Sequence, residues 1–106
     1  MNRPIDGFFE QTGSPKTISG GGAISHKLNN IFILDSSVYI LPDVNLLPDG
    51  YRIFISWPDG AVPTLNRSGS STLLRRNGVT DTNLVCNVEL AICLYLNKAA
   101  NIWEIR

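Results

Sequence analysis

The sequence predicts an all-β fold, a small β-sandwich or jelly-roll-like domain of about eight short antiparallel strands. Three observations predict it. Short apolar segments recur at intervals of roughly 8–12 residues, which is the spacing of sandwiches and small barrels. Pro, Gly, Asn and Asp separate these segments, as expected for turns. No window of the chain carries the apolar period of a helix.

The first predicted strands are two segments around a turn, followed by one strongly alternating segment. Residues 29–34 and 37–41 flank Asp35-Ser36, a turn signal, and are expected to pair as a hairpin. A Pro-Asp-Gly turn then precedes residues 51–57, the clearest strand of the chain. One face of this strand is apolar and is expected to be buried: Tyr51, Ile53, Ile55 and Trp57.

The second half of the chain predicts further short strands. Asn77-Gly78 is its strongest turn signal, because this dipeptide favours a two-residue hairpin. Residues 90–96 are apolar at nearly every position, so we expect both faces there to be covered, one of them by a partner molecule, and Leu94 to be buried. The predicted strands are residues 61–65, 72–75, 79–85, 87–96 and 102–105.

Residues 1–22 are predicted to form an extended N-terminal arm, and residues 23–106 the β-sandwich domain. The arm contains several Gly and Pro residues and no sustained period, which is typical of an extended segment. Three glycines, Gly20 to Gly22, would act as its hinge. Its large apolar side chains would pack either on its own domain or on a neighbouring subunit: Ile5, Phe8, Phe9 and Ile18.

Composition and charge argue for association and against nucleic acid. Nine Lys and Arg balance nine Asp and Glu among 106 residues, and charged residues make up only 17% of the chain. Zero net charge favours protein association, whereas a nucleic-acid binder needs a basic surplus. The longest apolar stretch, residues 90–96, is too short to span a bilayer. No signal peptide is recognisable, so a reducing, cytosol-like compartment is expected.

Residues that usually carry chemistry are few. The single histidine, His26, is expected to be a surface or hydrogen-bonded residue rather than a catalytic base. Cys86 and Cys93 are predicted on opposite faces of one strand, as small apolar residues. We therefore predict no catalytic, cofactor or metal site and no enzyme activity.

Two groups of residues, three arginines and three aromatic residues, each allow two interpretations of their role. Arg67, Arg75 and Arg76 form a basic patch in or beside hairpin loops, which is either a solvated or salt-bridged rim or a site for an acidic partner. Tyr51, Trp57 and Trp103 are expected in the core or an interface. The alternative role of these three aromatic residues is to stack against sugar rings, which would make this a carbohydrate-binding β-domain.

The order of several short motifs resembles the β-domains of tailed-bacteriophage virion proteins, both head-decoration (cement) proteins and tail-fibre or tailspike modules. The resemblance covers residue 38 to the C-terminus. It implies a β-sandwich or jelly-roll-like domain, a trimeric or otherwise symmetric virion component, and no enzyme activity. The matching segments are residues 39–42 (YILP), 47–55 (LPDGYRIFI), 59–62 (DGAV), 67–70 (RSGS), 91–94 (AICL) and 102–105 (IWEI).

From this resemblance we expect a protein that decorates and cements the outside of a phage capsid. The alternative within the same resemblance is a receptor-binding or adaptor module of a tail. The expected partners are two further copies in a homo-trimer and the major capsid protein or another virion protein, without nucleic acid or membrane. The expected location is the virion, assembled in the host cytoplasm. The interface candidates are Ile5, Phe8, Phe9, Ile18, Arg67, Arg75 and Arg76.

Overall fold

The structure is a computed structural model that describes residues 14–69, 73–87 and 89–105. These residues are all-β: they form eleven strands and one short 3-10 helix, Val44–Leu46, and contain no α-helix. The strands are β1 (Lys16–Ile18), β2 (Gly22–Ala23), β3 (Asn30–Ile33), β4 (Val38–Ile40), β5 (Arg52–Ser56), β6 (Thr64–Asn66), β7 (Leu73–Arg76), β8 (Val79–Asp81), β9 (Asn83–Val85), β10 (Ala91–Asn97) and β11 (Ile102–Ile105).

The strands form two sheets, and both are mixed rather than antiparallel. One sheet has seven strands in the order β1-β3-β5-β10-β11-β7-β8, and the other has four in the order β2-β4-β6-β9. Strands β1 to β6 alternate between the two sheets along the chain, so neighbours within each sheet run parallel there. The prediction of a purely antiparallel arrangement is therefore wrong.

The predicted hairpin around Asp35 is also wrong, because β3 and β4 belong to different sheets. Both edges of β3 are already paired, with β1 and with β5. The chain after β3 consequently crosses to the four-stranded sheet instead of folding back beside β3. Parallel neighbours require such a crossover, whereas a hairpin makes antiparallel neighbours.

Two of these crossovers are tied together by the carboxylate of Asp35. Its Oδ2 accepts a hydrogen bond from the Gly20 backbone N–H at 2.8 Å, and its Oδ1 accepts one from the Tyr39 hydroxyl at 2.7 Å. The Ser37 N–H also donates to Oδ1, at 3.2 Å. The Gly20 N–H foremost, then the Tyr39 hydroxyl, lower the pKa of Asp35 to about 2. The crossover between β1 and β2 is thereby fixed to the crossover between β3 and β4.

The segment before residue 23, assigned to the arm from sequence, contributes β1 and part of β2. Gly20, Gly21 and Gly22 all have positive φ; the first two lie in the crossover between these strands, and Gly22 begins β2. At Gly21 a Cβ atom would lie 2.8 Å from the Val38 carbonyl oxygen. Gly21 is therefore close-packed against Val38, whereas a Cβ atom at Gly20 or Gly22 would meet no atom within 4 Å. The arm residues 1–13 lie outside the described part of the chain.

The second half of the chain contains the hairpins. β7 and β8 pair through Asn77-Gly78, where both residues have positive φ, as a type I′ turn requires. This predicted hairpin is confirmed.

Residues 79–85 are not one strand, however, because the chain changes sheets at Thr82, between β8 and β9. Cys86 follows β9 and Cys93 lies in β10, so their predicted placement in one strand is wrong.

Inward side chains from both sheets form one buried cluster. Tyr39 and Leu65 come from the four-stranded sheet, and Ile53, Leu94 and Trp103 come from the seven-stranded sheet. The predicted burial of Leu94 and Trp57 is confirmed. Burial also removes the sugar-stacking interpretation, since none of its three aromatic residues is exposed by more than 2%: Tyr51, Trp57 and Trp103.

Candidate functional site

The outer face of the seven-stranded sheet is the face that points away from the core. Its side chains alternate along β3, β5, β10 and β11 with the buried ones, and none of them is buried. The outer face is formed by Asn30, Phe32, Arg52, Phe54, Ser56, Ala91, Cys93, Tyr95, Asn97, Ile102 and Glu104.

Phe54 is the most exposed aromatic side chain of the outer face, with 58% of its surface accessible. It lies on the interior strand β5, opposite Asn30 of β3 and Cys93 of β10. Phe32 lies two residues beyond Asn30 on the same face of β3, and is therefore diagonal to Phe54 across this parallel pair. A solvated sheet face normally alternates to polar residues, and aromatic residues at the surface are enriched in interfaces. This apolar centre is typical of a protein contact.

Charged residues border the apolar centre on one side. The Arg52 guanidinium carbon lies 5.6 Å from the centre of the Tyr95 ring, within the range of a cation–π contact. Tyr95 faces Arg52 on β5 and Glu104 on β11, so the three residues form a row across the sheet. An apolar centre beside a polar border is the usual anatomy of a protein interface.

The four-stranded sheet has an outer face of its own with exposed β-branched residues. Val38, Thr64 and Val85 form one row across β4, β6 and β9. Val38 and Val85 are exposed, as is Ile40 two residues further along β4. The exposed Val62 lies just before β6, where its backbone N–H donates to the Ser36 hydroxyl at 2.9 Å. Each sheet therefore presents apolar side chains to its surroundings.

The interface candidates from the arm are only partly described. Ile5, Phe8 and Phe9 lie outside the described residues, so their docking stays a prediction. Ile18 belongs to β1, where it is half-buried and packs against the core cluster. It supports the fold rather than projecting with an arm.

The candidate arginines Arg67 and Arg76 have different environments. Arg76 forms an ion pair with Glu89, with 2.8 Å between Nη2 and Oε1, which is the salt-bridged interpretation of this residue. The Arg67 backbone N–H donates to the Thr82 carbonyl at 3.1 Å. Arg75 pairs with Thr80 in the β7–β8 ladder. Arg67 and Arg76 line two separate cavities, of about 310 and 280 Å³, that share one residue, Asn83.

The two cysteines have different environments. Burial raises the pKa of the Cys86 thiol to about 12, and the nearby Glu89 carboxylate adds to the rise. A thiol with so high a pKa forms little thiolate and reacts slowly. Cys93 is a free, half-buried thiol on the outer face, opposite Phe54. Its position makes it a chemical reporter for that face.

Of the outer face, the sequence patterns above indicate only the part on β10, where a partner is expected over residues 90–96. They miss Phe54, although a signal for it is present. Phe54 stands between Ile53 and Ile55 in an alternating strand, so its side chain must point away from theirs. A phenyl ring therefore occupies a position where the alternation calls for a polar residue, and this mismatch is the signal that marks the face.

Within residues 14–69, 73–87 and 89–105, no three His, Cys, Asp or Glu side chains come together as a possible metal site. The same ranges include no helix with the length and apolar character that a membrane crossing needs. No protein-family model matches the chain, and neither a curated protein nor a solved structure is detectably similar to it.

Proposed function

We propose that this chain is a non-enzymatic assembly module that works by protein contact, in the setting of a phage virion as a capsid decoration protein. The observation that carries the proposal is the pair of outward-facing apolar surfaces, one on each sheet. A chain without net charge offers little electrostatic repulsion against association. Apolar patches of this kind on a small domain mark interaction sites.

Self-association through the outer face of the seven-stranded sheet is the first part of the proposal. Phe54 and Phe32 would be buried against other copies, since aromatic side chains contribute most to interface energies. The expected oligomer is the homo-trimer that the phage resemblance implies. The proposal includes a sandwich-like packing of the two sheets, which is supported by the single core that their inward side chains share.

Contact with a second protein is the other part of the proposal. The exposed valines and isoleucine of the four-stranded sheet would bind the major capsid protein or another virion protein. A module with one surface for its own copies and another for a lattice can bridge neighbouring subunits, which is what a cement protein does. A tail-fibre or adaptor module would use the same two surfaces, and the two locations differ in copy number.

The test combines particle binding with two matched variants. Phe54→Ser should reduce self-association, and Val38→Ser should reduce attachment to purified particles while leaving the oligomer intact. Leu46→Ser is the control, because Leu46 is similarly exposed but lies in the 3-10 helix outside both sheets. Mass spectrometry of the particles then gives the copy number, and hundreds of copies would mean a head location while only a few would mean a tail.

Cys93 provides an independent measure of whether the outer face is covered. Its alkylation rate should fall as protein concentration rises, whereas the slow alkylation of Cys86 should not change. A Cys93 rate independent of concentration, together with an unaltered particle affinity for both serine variants, would contradict the proposed function.

A further inference from the structure

A cavity with a mixed lining lies beside the edge strands at the beginning of the fold. Its volume is about 240 Å³. Its apolar lining residues are Ile18, Ala23, Ile24, Leu28 and Tyr39, and the remaining ones are Ser19, Gly21 and Ser25. Ile18 and Leu28 are only half-buried where they pack against the core cluster. The lining therefore offers apolar surface that is still partly open.

We propose that this cavity holds one phenyl ring of the N-terminal arm of the same molecule, from either Phe8 or Phe9. The ring fits by size, because an apolar cavity of about 150 Å³ is sufficient to bind benzene. It fits by chemistry at the apolar side of the lining, where the half-buried Ile18 and Leu28 would gain burial and the ring brings no polar group that needs a hydrogen bond.

The cavity lies within reach of the arm. Phe8 and Phe9 precede Ser14 by six and five residues, so an extended chain allows a separation of up to about 20 Å. β1 adds about 7 Å between Lys16 and Ile18, which borders the cavity. The chain must reverse direction to return along β1, and Gly13 and Pro15 are turn-forming residues at the required place.

The edges of the sheets supply a second reason. Within the described residues, β1 pairs only with β3 and β2 pairs only with β4, so each leaves one edge open. Open edges are prone to unwanted pairing, and native proteins usually cover them. An arm seated on the cavity passes over both edges at once. The cavity shared by Arg76 and Asn83 lies at the other end of both sheets, far from the start of the arm.

Only one of the two rings can enter. Adjacent side chains of an extended segment point to opposite sides, so Phe8 and Phe9 are not equivalent. In the full-length protein, Phe8→Ala and Phe9→Ala should consequently have unequal effects. The variant that loses the inserted ring should melt about 5–10 °C lower than the wild type, and the other should melt near it. Gln11→Ala is the control within the same arm. Equal melting temperatures for all four proteins would overturn the proposal.

Nuclear Overhauser effects test the contact directly. One phenylalanine ring should show cross-peaks to the methyl groups of Ile18, Ile24 or Leu28 in uniformly labelled protein. A mixture of labelled and unlabelled chains separates contacts within a molecule from contacts between molecules. Contacts found only between molecules would overturn the proposal in favour of arm exchange, and absence of contacts to these methyl groups would also overturn it.

A third experiment fills the cavity by substitution and leaves the sequence of the arm unchanged. Ala23→Phe places a ring at the cavity from β2, where Ala23 is exposed. This ring should displace the arm and speed chymotrypsin cleavage after Phe8 or Phe9 at least severalfold. Cleavage at equal rates in the wild type and in Ala23→Phe would contradict a seated ring. Loss of the arm contact leaves Phe54 and the outer face in place, so oligomerisation through that face is measured separately.

Discussion

Strands β1 to β6 and strands β7 to β11 differ in how chain-adjacent strands pair. In the first set the chain alternates between two sheets, and every neighbouring pair within the set is parallel. In the second set, β7–β8 and β10–β11 are hairpins of chain-adjacent strands. The second set also contains one parallel pair, β7–β11. The contrast therefore lies in its two hairpins, which local turns close, whereas every pair within the first set joins strands that are not adjacent in the chain.

The difference has an energetic consequence. A two-residue turn closes β7 on β8, so little chain entropy is lost in bringing the two strands together. β3 and β5 meet only after the chain has crossed to the other sheet and back, so their pairing depends on tertiary contacts. Positions that fix the crossovers should therefore matter more to stability than positions in hairpin turns.

The largest effect is expected where the two sets of strands meet. Leu94 of β10 faces Ile53 of β5, and both side chains are fully buried. Leu94→Ala should lower the free energy of unfolding by about 2–5 kcal/mol, from lost burial and the cavity left behind. Leu46→Ala removes the same atoms from a half-exposed side chain and should cost well under this amount. Urea unfolding of both variants measures the contrast, and equal costs would contradict the assigned core.

The next effect concerns the crossover between β1 and β2. Gly21→Ala combines a positive φ with a Cβ only 2.8 Å from the Val38 carbonyl oxygen, and should cost about 2–3 kcal/mol. Gly22→Ala keeps the positive φ but meets no atom within 4 Å, so it should cost about 1–2 kcal/mol. Thermal unfolding compares the two. If Gly22→Ala is the more harmful substitution, close packing of the crossover is not what selects glycine at position 21.

A smaller effect is expected in the hairpin turn. Gly78 has a φ of 81°, and a Cβ atom added there would meet no other atom within 4 Å, so Gly78→Ala should cost about 1 kcal/mol. Amide exchange should increase most in β7 and β8, where local opening adds to the general increase that the lower global stability causes. An increase in β3 and β5 as large as that in β7 and β8 would show that the two sets of strands are not separable in this way.

The smallest effect is a pH dependence at Asp35. Its pKa is about 2 in the folded protein, below its ordinary value of 3.8, so its hydrogen bonds stabilise the fold fully above pH 4. That contribution is lost as the pH falls from about 4 towards 2. The stability difference between wild type and Asp35→Asn should therefore shrink between pH 6 and pH 2.5 in urea titrations. A difference that stays constant or grows would contradict the assigned role of the carboxylate.

The same comparison explains how much could be predicted from the sequence. Alternation in residues 51–57 correctly predicts which side chains are buried, because face depends only on local period. The Asn77-Gly78 hairpin follows from turn chemistry. Parallel pairing has no such local signal. Asp35-Ser36 has the residue types of a hairpin turn, yet the chain crosses to the other sheet there, and the residue types alone do not distinguish the two outcomes. Thr82 gives no sign, by residue type, that the chain changes sheets there.

The candidate site is less predictable than the fold. Arg76 is a candidate by its charge, yet it forms an ion pair with Glu89. Phe54 is one apolar residue among many in the sequence, because its exposure depends on whether anything packs over its side of the sheet. Periodicity assigns a side chain to a face, whereas burial of that face is decided by the remaining chain.

Sedimentation velocity of the full-length protein across micromolar concentrations tests self-association through the outer face most directly. The wild type should sediment as an oligomer, with a trimer expected, and Phe54→Ser should shift towards the 11.7 kDa monomer. Leu46→Ser should sediment like the wild type. A wild-type protein that stays monomeric, or a Phe54→Ser variant with an unchanged oligomer, would contradict the account.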